Sequence, residues 1–275
     1  MATRTKFLQN TLTVFLGLAF FCGGSPQAQA AFVAASSDIV INNLRFNLGD
    51  ANAQFQWTDD WYGEVRAHAA DSDSVSANDS NSFLGNDSLT QAIANTVHVS
   101  SFAGYNVEKG SQIGLDPNSG VVGSTHSDLH LERKFMQADG FAVSTFDNFF
   151  TISNPNATET SVLIDFLLDY QGNISGTADP DGFFVDITHI ATLRLFGIDG
   201  LLSFDQFQDA ISGNNTTISH DNQGTLQVSF LLDYNKTYQI SAEADSEIYG
   251  YTIPAPATLP LILLGMTVMR RFHRH

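Results

Sequence analysis

Three groups of side chains have types and spacings that could do chemistry. His126, Asp128 and His130 stand at i, i+2 and i+4. On a strand such positions share one face at intervals of about 7 Å, so three potential metal ligands line up. That interval is wide for one small ion, and the same face continues into Glu132 and Lys134, which reads as a solvated face. Asp179-Pro180-Asp181-Gly182 has the opening of a calcium loop but no Glu at the closing position; Pro-Asp-Gly is a strong turn former and accounts for it as a turn. Trp57, Trp61 and Tyr62, beside Asp59 and Asp60, could stack on sugar rings or could pack a strand end. There is no Gly-x-Ser-x-Gly elbow and no His-Glu-x-x-His. Paired carboxylates are too frequent in so acidic a chain to single out a catalytic pair. The residues therefore nominate no catalytic group, no metal ligand set and a non-enzymatic body.

The elements that must position these groups read as strands. Short apolar and aromatic runs alternate with Gly, Asn, Asp and Ser clusters across residues 31–253. Strands are expected over 39–48 with Leu44, Phe46 and Leu48 on one face, over 55–57, and over 127–135 with Leu129, Leu131 and Phe135 inward. Others are expected over 146–153, 162–170, 183–196, 226–234 and 237–244. Residues 71–87, rich in Ser, Asp and Asn, read as a mobile surface loop. Residues 89–101 favour a strand with Leu89, Ile93, Val97 and Val99 on one face, over a short helix capped by Ser88 and Gln91. One short helix is expected after Ser203: Ser203 and Gln206 have capping-box spacing, Phe204, Phe207 and Ile211 share a helical face, and Gly213 can end it. Phe166-Leu167-Leu168-Asp169-Tyr170 recurs as Phe230-Leu231-Leu232-Asp233-Tyr234, from equivalent strands or by coincidence. The fold class is all-β, an antiparallel β-sandwich or jelly roll with one short helix.

Charge and cysteine usage narrow the setting. The chain has 275 residues, 29 acidic and 12 basic. Five of the basic residues lie in the two ends, leaving seven against 29 in between, a net charge near −22. Such a body is repelled by nucleic acid and anionic lipid, and its acidic surface could collect calcium. The single cysteine, Cys22, lies in the N-terminal apolar run, so a disulfide framework in the body is excluded.

The ends read as addresses. Residues 1–30 form a signal peptide: Arg4 and Lys6, an apolar helix over 12–21, then Ala28-Gln29-Ala30 before a cut at Ala31. Residues 254–275 form a tail of a Pro-x-Pro turn, an apolar helix over 257–269 and a basic stop at Arg270, Arg271 and Arg274. The stop belongs on the cytoplasmic side of the inner membrane.

Pro254, Ala255, Pro256, Ala257 and Thr258, with the apolar run and Arg270-Arg271, resemble a PEP-CTERM sorting domain; Ala255 stands where that family has Glu. The resemblance covers under a tenth of the chain. It implies a Gram-negative bacterium, transient anchoring in the inner membrane, processing by an exosortase-type enzyme near 254–258, and delivery to the cell surface or beyond. It also implies an association with exopolysaccharide and biofilm. A different class of function, a secreted carbohydrate-binding module or a glycan-active enzyme on a jelly roll, is compatible with the aromatic group at 57–62.

Overall fold

Alternation of inward and outward side chains runs much further along the chain than the short apolar runs suggest. A computed structural model describes residues 32–57, 62–72, 76–84, 89–107, 121–132, 136–178, 183–214 and 217–252. The expected signal helix, the sorting tail, Trp61 and the turn at 179–182 lie outside these residues. The strands are β1 Val33–Leu48, β2 Gln54–Trp57, β3 Tyr62–Asp71, β4 Ser76–Leu84, β5 Leu89–Asn95, β6 Val99–Val107 and β7 Val121–Leu131. They continue as β8 Gln137–Ser153, β9 Ser161–Ala178, β10 Phe183–Gly197, β11 Gly200–Gly213, β12 Thr217–Asp233 and β13 Thr237–Thr252.

Two antiparallel sheets pack face to face as a β-sandwich. Sheet A has the order β12-β9-β1-β7-β6-β5, and sheet B the order β11-β10-β13-β8-β3-β4, with β2 pairing β8 at one end. In β1 the register shifts between Asn42 and Arg45, and Asn43 takes φ 52°. This bulge moves the inward face from Ile39 and Ile41 to Leu44 and Phe46. Asn tolerates the left-handed conformation better than most residues, which suits it to that position.

The core changes character along the strands. At one end Phe46, Phe55, Phe150 and Phe166 stack and cross at ring-centroid distances from 3.9 to 6.2 Å, with Trp57 edge-on to Phe55. Toward the other end the facing residues are Ala67, Ala69, Ala103, Ala142, Ser101, Ser127 and Ser246, all buried. The sheets come close there: a Cβ on Gly140 would lie 2.7 Å from Ser101 Oγ and from Val99 Cγ1. Ser127 Oγ bonds Ser101 Oγ at 3.3 Å and Ser246 Oγ at 3.2 Å, so the narrow zone is held by hydroxyl pairs as well as by contact.

Several expectations are corrected. Residues 203–213, expected as a helix, belong to β11, paired with β10 along its whole length. The inward residues of β11 are Ser203, Asp205, Phe207, Asp209 and Ile211; two of the five are carboxylates, which hides the period-two pattern and leaves Phe204, Phe207 and Ile211 looking helical. Phe204 in fact points out and is 60% exposed. Backbone pairing with β10 outweighs the local capping signal. The span expected as a mobile loop contains β4, an edge strand whose Ser, Asn and Asp side chains need only backbone pairing with β3. Residues 89–101 make two strands joined at 96–98, where the Thr96 hydroxyl accepts the N–H groups of His98 and Val99. The inward residues of β5 are Thr90, Ala92 and Ala94, so Leu89 and Ile93 face out. The repeated Phe-Leu-Leu-Asp-Tyr segments lie on neighbouring antiparallel strands in unlike settings. Phe166 is fully buried while Phe230 is partly exposed, and Asp169 pairs with Arg45 while Asp233 pairs with Lys236.

Candidate functional site

The outward face of sheet A is built from alternate residues of six strands, and register sets them in rows. One row reads Asp221, Asn173, Asp38, His126, Phe102 and Ile93 across β12, β9, β1, β7, β6 and β5. Asn173 Nδ2 donates to Asp221 Oδ1. His126 is held between two carboxylates, Nδ1 on Asp38 and Nε2 on Asp128. Hydrogen bonds to Asp128 and then to Asp38 push its pKa up to about 10, and the same contact holds the Asp128 carboxyl below its usual range. With both ring nitrogens engaged, this imidazolium has no lone pair for a metal. His130 turns to Glu132 at 2.8 Å and packs edge-on against Phe32. The described residues contain no group of three His, Cys, Asp or Glu placed to hold a metal ion.

Two solvent-open hollows flank this row. One, of about 420 Å³, includes Ser36, His98, Asp128, His130 and Ser175. The other, of about 680 Å³, includes Asp38, Gln171, Asn173, Asp221 and Gln223. The first offers hydroxyls, two imidazoles and one carboxylate among alanine, valine and leucine side chains, and the second amides and carboxylates, polar groups that can hydrogen-bond a polyhydroxylated chain. Nearby, burial pushes the Asp169 carboxyl up, but bonds from Arg45, Thr225 and Asn43 outweigh it and hold it below the ordinary range.

Of the aromatic group singled out in the sequence, Trp57 is half-buried against Phe55 and Phe150, and Tyr62 on β3 is 45% exposed. Trp57 pairs with Phe150 and Tyr62 with Asp147, both on β8, so the two sit at one end of sheet B rather than on the polar face of sheet A.

The outward face of sheet B carries residues that the sequence reading passed over. Glu243, Asp245 and Glu247 project from β13 in one line. The strand was expected to stop at Ala244, because its inward residues there, Ala242, Ala244 and Ser246, are too small to give an apolar signal. The alternation of carboxylates with small residues was the available sign. Asp245 lies in register between Ile190 and Val143. Burial, then the charges of Glu243 and Glu247, push its pKa up to about 6.

Inside the sandwich, His189 on β10 is fully buried and its Nδ1–H donates to the Asp38 carbonyl at 3.0 Å. Gly172 makes room for the ring: a Cβ there would lie 2.5 Å from His189 Cε1. Burial pushes the imidazole pKa down, so the ring is neutral, and its Nε2 has no partner. Nothing in the sequence around His189 distinguishes it from a surface histidine.

No family model matches this chain, and no curated protein matches it. Among solved structures, vicilin from Corylus avellana (hazelnut) aligns over 79% of this chain and 74% of its own, at 8% identity and a TM-score of 0.12. A likeness that low bears on neither fold nor function.

Proposed function

We propose that this chain is an exported, non-enzymatic β-sandwich protein routed by its two ends. The first 30 residues carry it across the inner membrane, and residues 254–275 hold it there transiently. An exosortase-type enzyme then releases it to the cell surface or the extracellular matrix, where it associates with exopolysaccharide. The observation that carries this reading is the string Pro254 to Thr258 followed by an apolar run and Arg270-Arg271.

The geometry of the described body is compatible with that route. Val33 pairs with Leu131 and Ala178, and Thr252 bonds to Met136 at the same end of the sandwich. A Cβ on Gly250 would come within 3.4 Å of Val33 Cγ1. The segments before and after the body therefore attach at one end, and the far end, with the turn at 197–200, is left to point away from a membrane. Intact-mass measurement of the secreted protein tests the reading. A chain ending near residues 254–258 is expected; recovery with His275 attached overturns it.

The polar face of sheet A favours a second reading, a secreted carbohydrate-binding module. Retention on the producing culture's polysaccharide, lost in Asn173→Ala or Gln223→Ala, supports it, and turnover of a glycan panel points to an enzyme instead. Calcium collected by the acidic surface is tested by chelation, since an unchanged melting temperature removes it.

A further inference from the structure

Sheet B presents charge that the fold leaves uncompensated. Along the outward face of β13, Glu243, Asp245 and Glu247 recur every two residues, an interval of about 7 Å. Arg194 reaches Glu243 at 3.2 and 3.3 Å. Among the described residues, neither the Asp245 nor the Glu247 carboxylate has a hydrogen-bond or ion-pair partner. Opposite Glu243 on the same face stands Thr192, only 2% exposed, whose hydroxyl also has no partner. Buried polar groups are normally bonded, so an unsatisfied hydroxyl beside an acidic row points to a group supplied from outside.

Aromatic rings flank the row. Phe141, in register with Glu247, is 38% exposed and stacks on His68 at 5.1 Å. Tyr249 continues the line, with Tyr251 at 5.9 Å, and Tyr251 stacks on Phe184 at 5.2 Å. Carboxylates next to partly exposed aromatic side chains suit a ligand with positive charges and flat C–H faces. The middle of a sheet face has no free backbone groups, so an extended peptide could not add to it as a strand. A glycan, which binds through side chains and ring stacking, needs no such groups. The strongly negative body disfavours an anionic glycan and attracts a cationic one.

We infer that the outer face of sheet B binds a cationic polysaccharide bearing amino-sugar units. Asp245 and Glu247 pair with its ammonium groups, Phe141 and Tyr249 stack on its rings, and the Thr192 hydroxyl meets a sugar hydroxyl beside Glu243. Pairing with ammonium groups also relieves the repulsion that the fold imposes on Asp245. The inference rests on the polysaccharide association proposed above and gives that polysaccharide a chemical class; it does not depend on the tail being cut.

The test is affinity electrophoresis of the full chain in detergent through gels holding glycol chitosan or its N-acetylated form, glycol chitin, in buffer at about pH 6.5, where the Asp245 carboxyl is mostly ionised. These probes share a backbone and differ in free amines. Binding to glycol chitosan is expected to be roughly tenfold tighter. Asp245→Asn with Glu247→Gln should weaken it by roughly tenfold, and Phe141→Ala should weaken it too. Asp165→Asn with Glu159→Gln, which removes two charges from sheet A and the turn leading into it, should change it less than about twofold. Equal binding to both probes, no binding, or an equal loss in the sheet A variant overturns the inference. A chain that is cut near 254–258 but does not bind fails this inference alone, and one that binds but keeps His275 fails the sorting reading alone.

Discussion

Asp205, on the outermost strand of sheet B, accepts a hydrogen bond of 2.9 Å from the backbone N–H of Gln227, on the outermost strand of sheet A. The opposite side of the sandwich repeats the arrangement, with Asp79 of β4 accepting the N–H of Ile93 of β5 at 3.0 Å. Asp209 adds bonds to His220 and Asn222 at 3.0 and 2.5 Å. Inward carboxylates thus consume edge donors that would otherwise template pairing with another chain. Asp205→Ala should lower stability by about 0.5–1.5 kcal/mol in chemical denaturation. The Asp79→Ala, Asp205→Ala double variant should also show increased self-association by light scattering; an unchanged monomer fraction would argue against edge protection.

Gly140 sits where the two sheets approach closely. Gly140→Ala forces Ser101 and Val99 to shift and should cost about 1–3 kcal/mol, read as a lower melting temperature. Ser101→Ala in the same background removes one of the two opposing atoms and should recover part of that loss.

Asp245 should make the fold less stable as pH rises. Its carboxyl titrates near pH 6 in the folded chain against about 3.8 in the unfolded one, so the unfolded state releases the proton first. Stability from this group is greatest below pH 4 and falls through pH 6. Asp245→Asn should therefore stabilise the protein by about 1–2 kcal/mol at pH 8 and by little at pH 4, in denaturation curves at the two values.

His189 should act in the opposite direction. Its folded pKa lies below the usual imidazole value near 6.5, so the unfolded state takes up the proton first and stability is lost as pH falls through that region. His189→Gln, which keeps a donor for the Asp38 carbonyl, should flatten the decline between pH 7 and 5. A slope identical to the parent's would remove His189 as its source.

His126 should contribute below neutrality. Its charge is favoured in the fold up to about pH 10, so the stabilisation is complete below about pH 6.5 and is lost as pH rises toward 10. The ring is over a third exposed, so screening limits the effect. His126→Gln should cost about 0.5–1 kcal/mol at pH 6 and less at pH 10.

Much of the strand content was legible because burial of one face writes a period of two into the side chains. Leu44, Phe46, Leu129 and Leu131 turned inward as expected. The pattern failed where inward positions were not apolar. On β11 the inward Asp205 and Asp209 bond across to β12, so the strand resembled a helix. On β5 the inward residues are Thr and Ala, so the larger Leu89 and Ile93 suggested the wrong face. On β13 small inward residues concealed that the strand continues to Thr252.

The sequence by itself determined a chain of strands around an acidic surface, because charge and alternation are local properties that each segment carries alone. Which carboxylates meet which partners was decided only by the tertiary structure. Asp38 reaches His126 across 88 positions of sequence, and Asp245 lies between Ile190 and Val143 because two registers coincide there. Period two assigns a side chain to a face, but strand order and register depend on how all the strands share two hydrophobic faces at once.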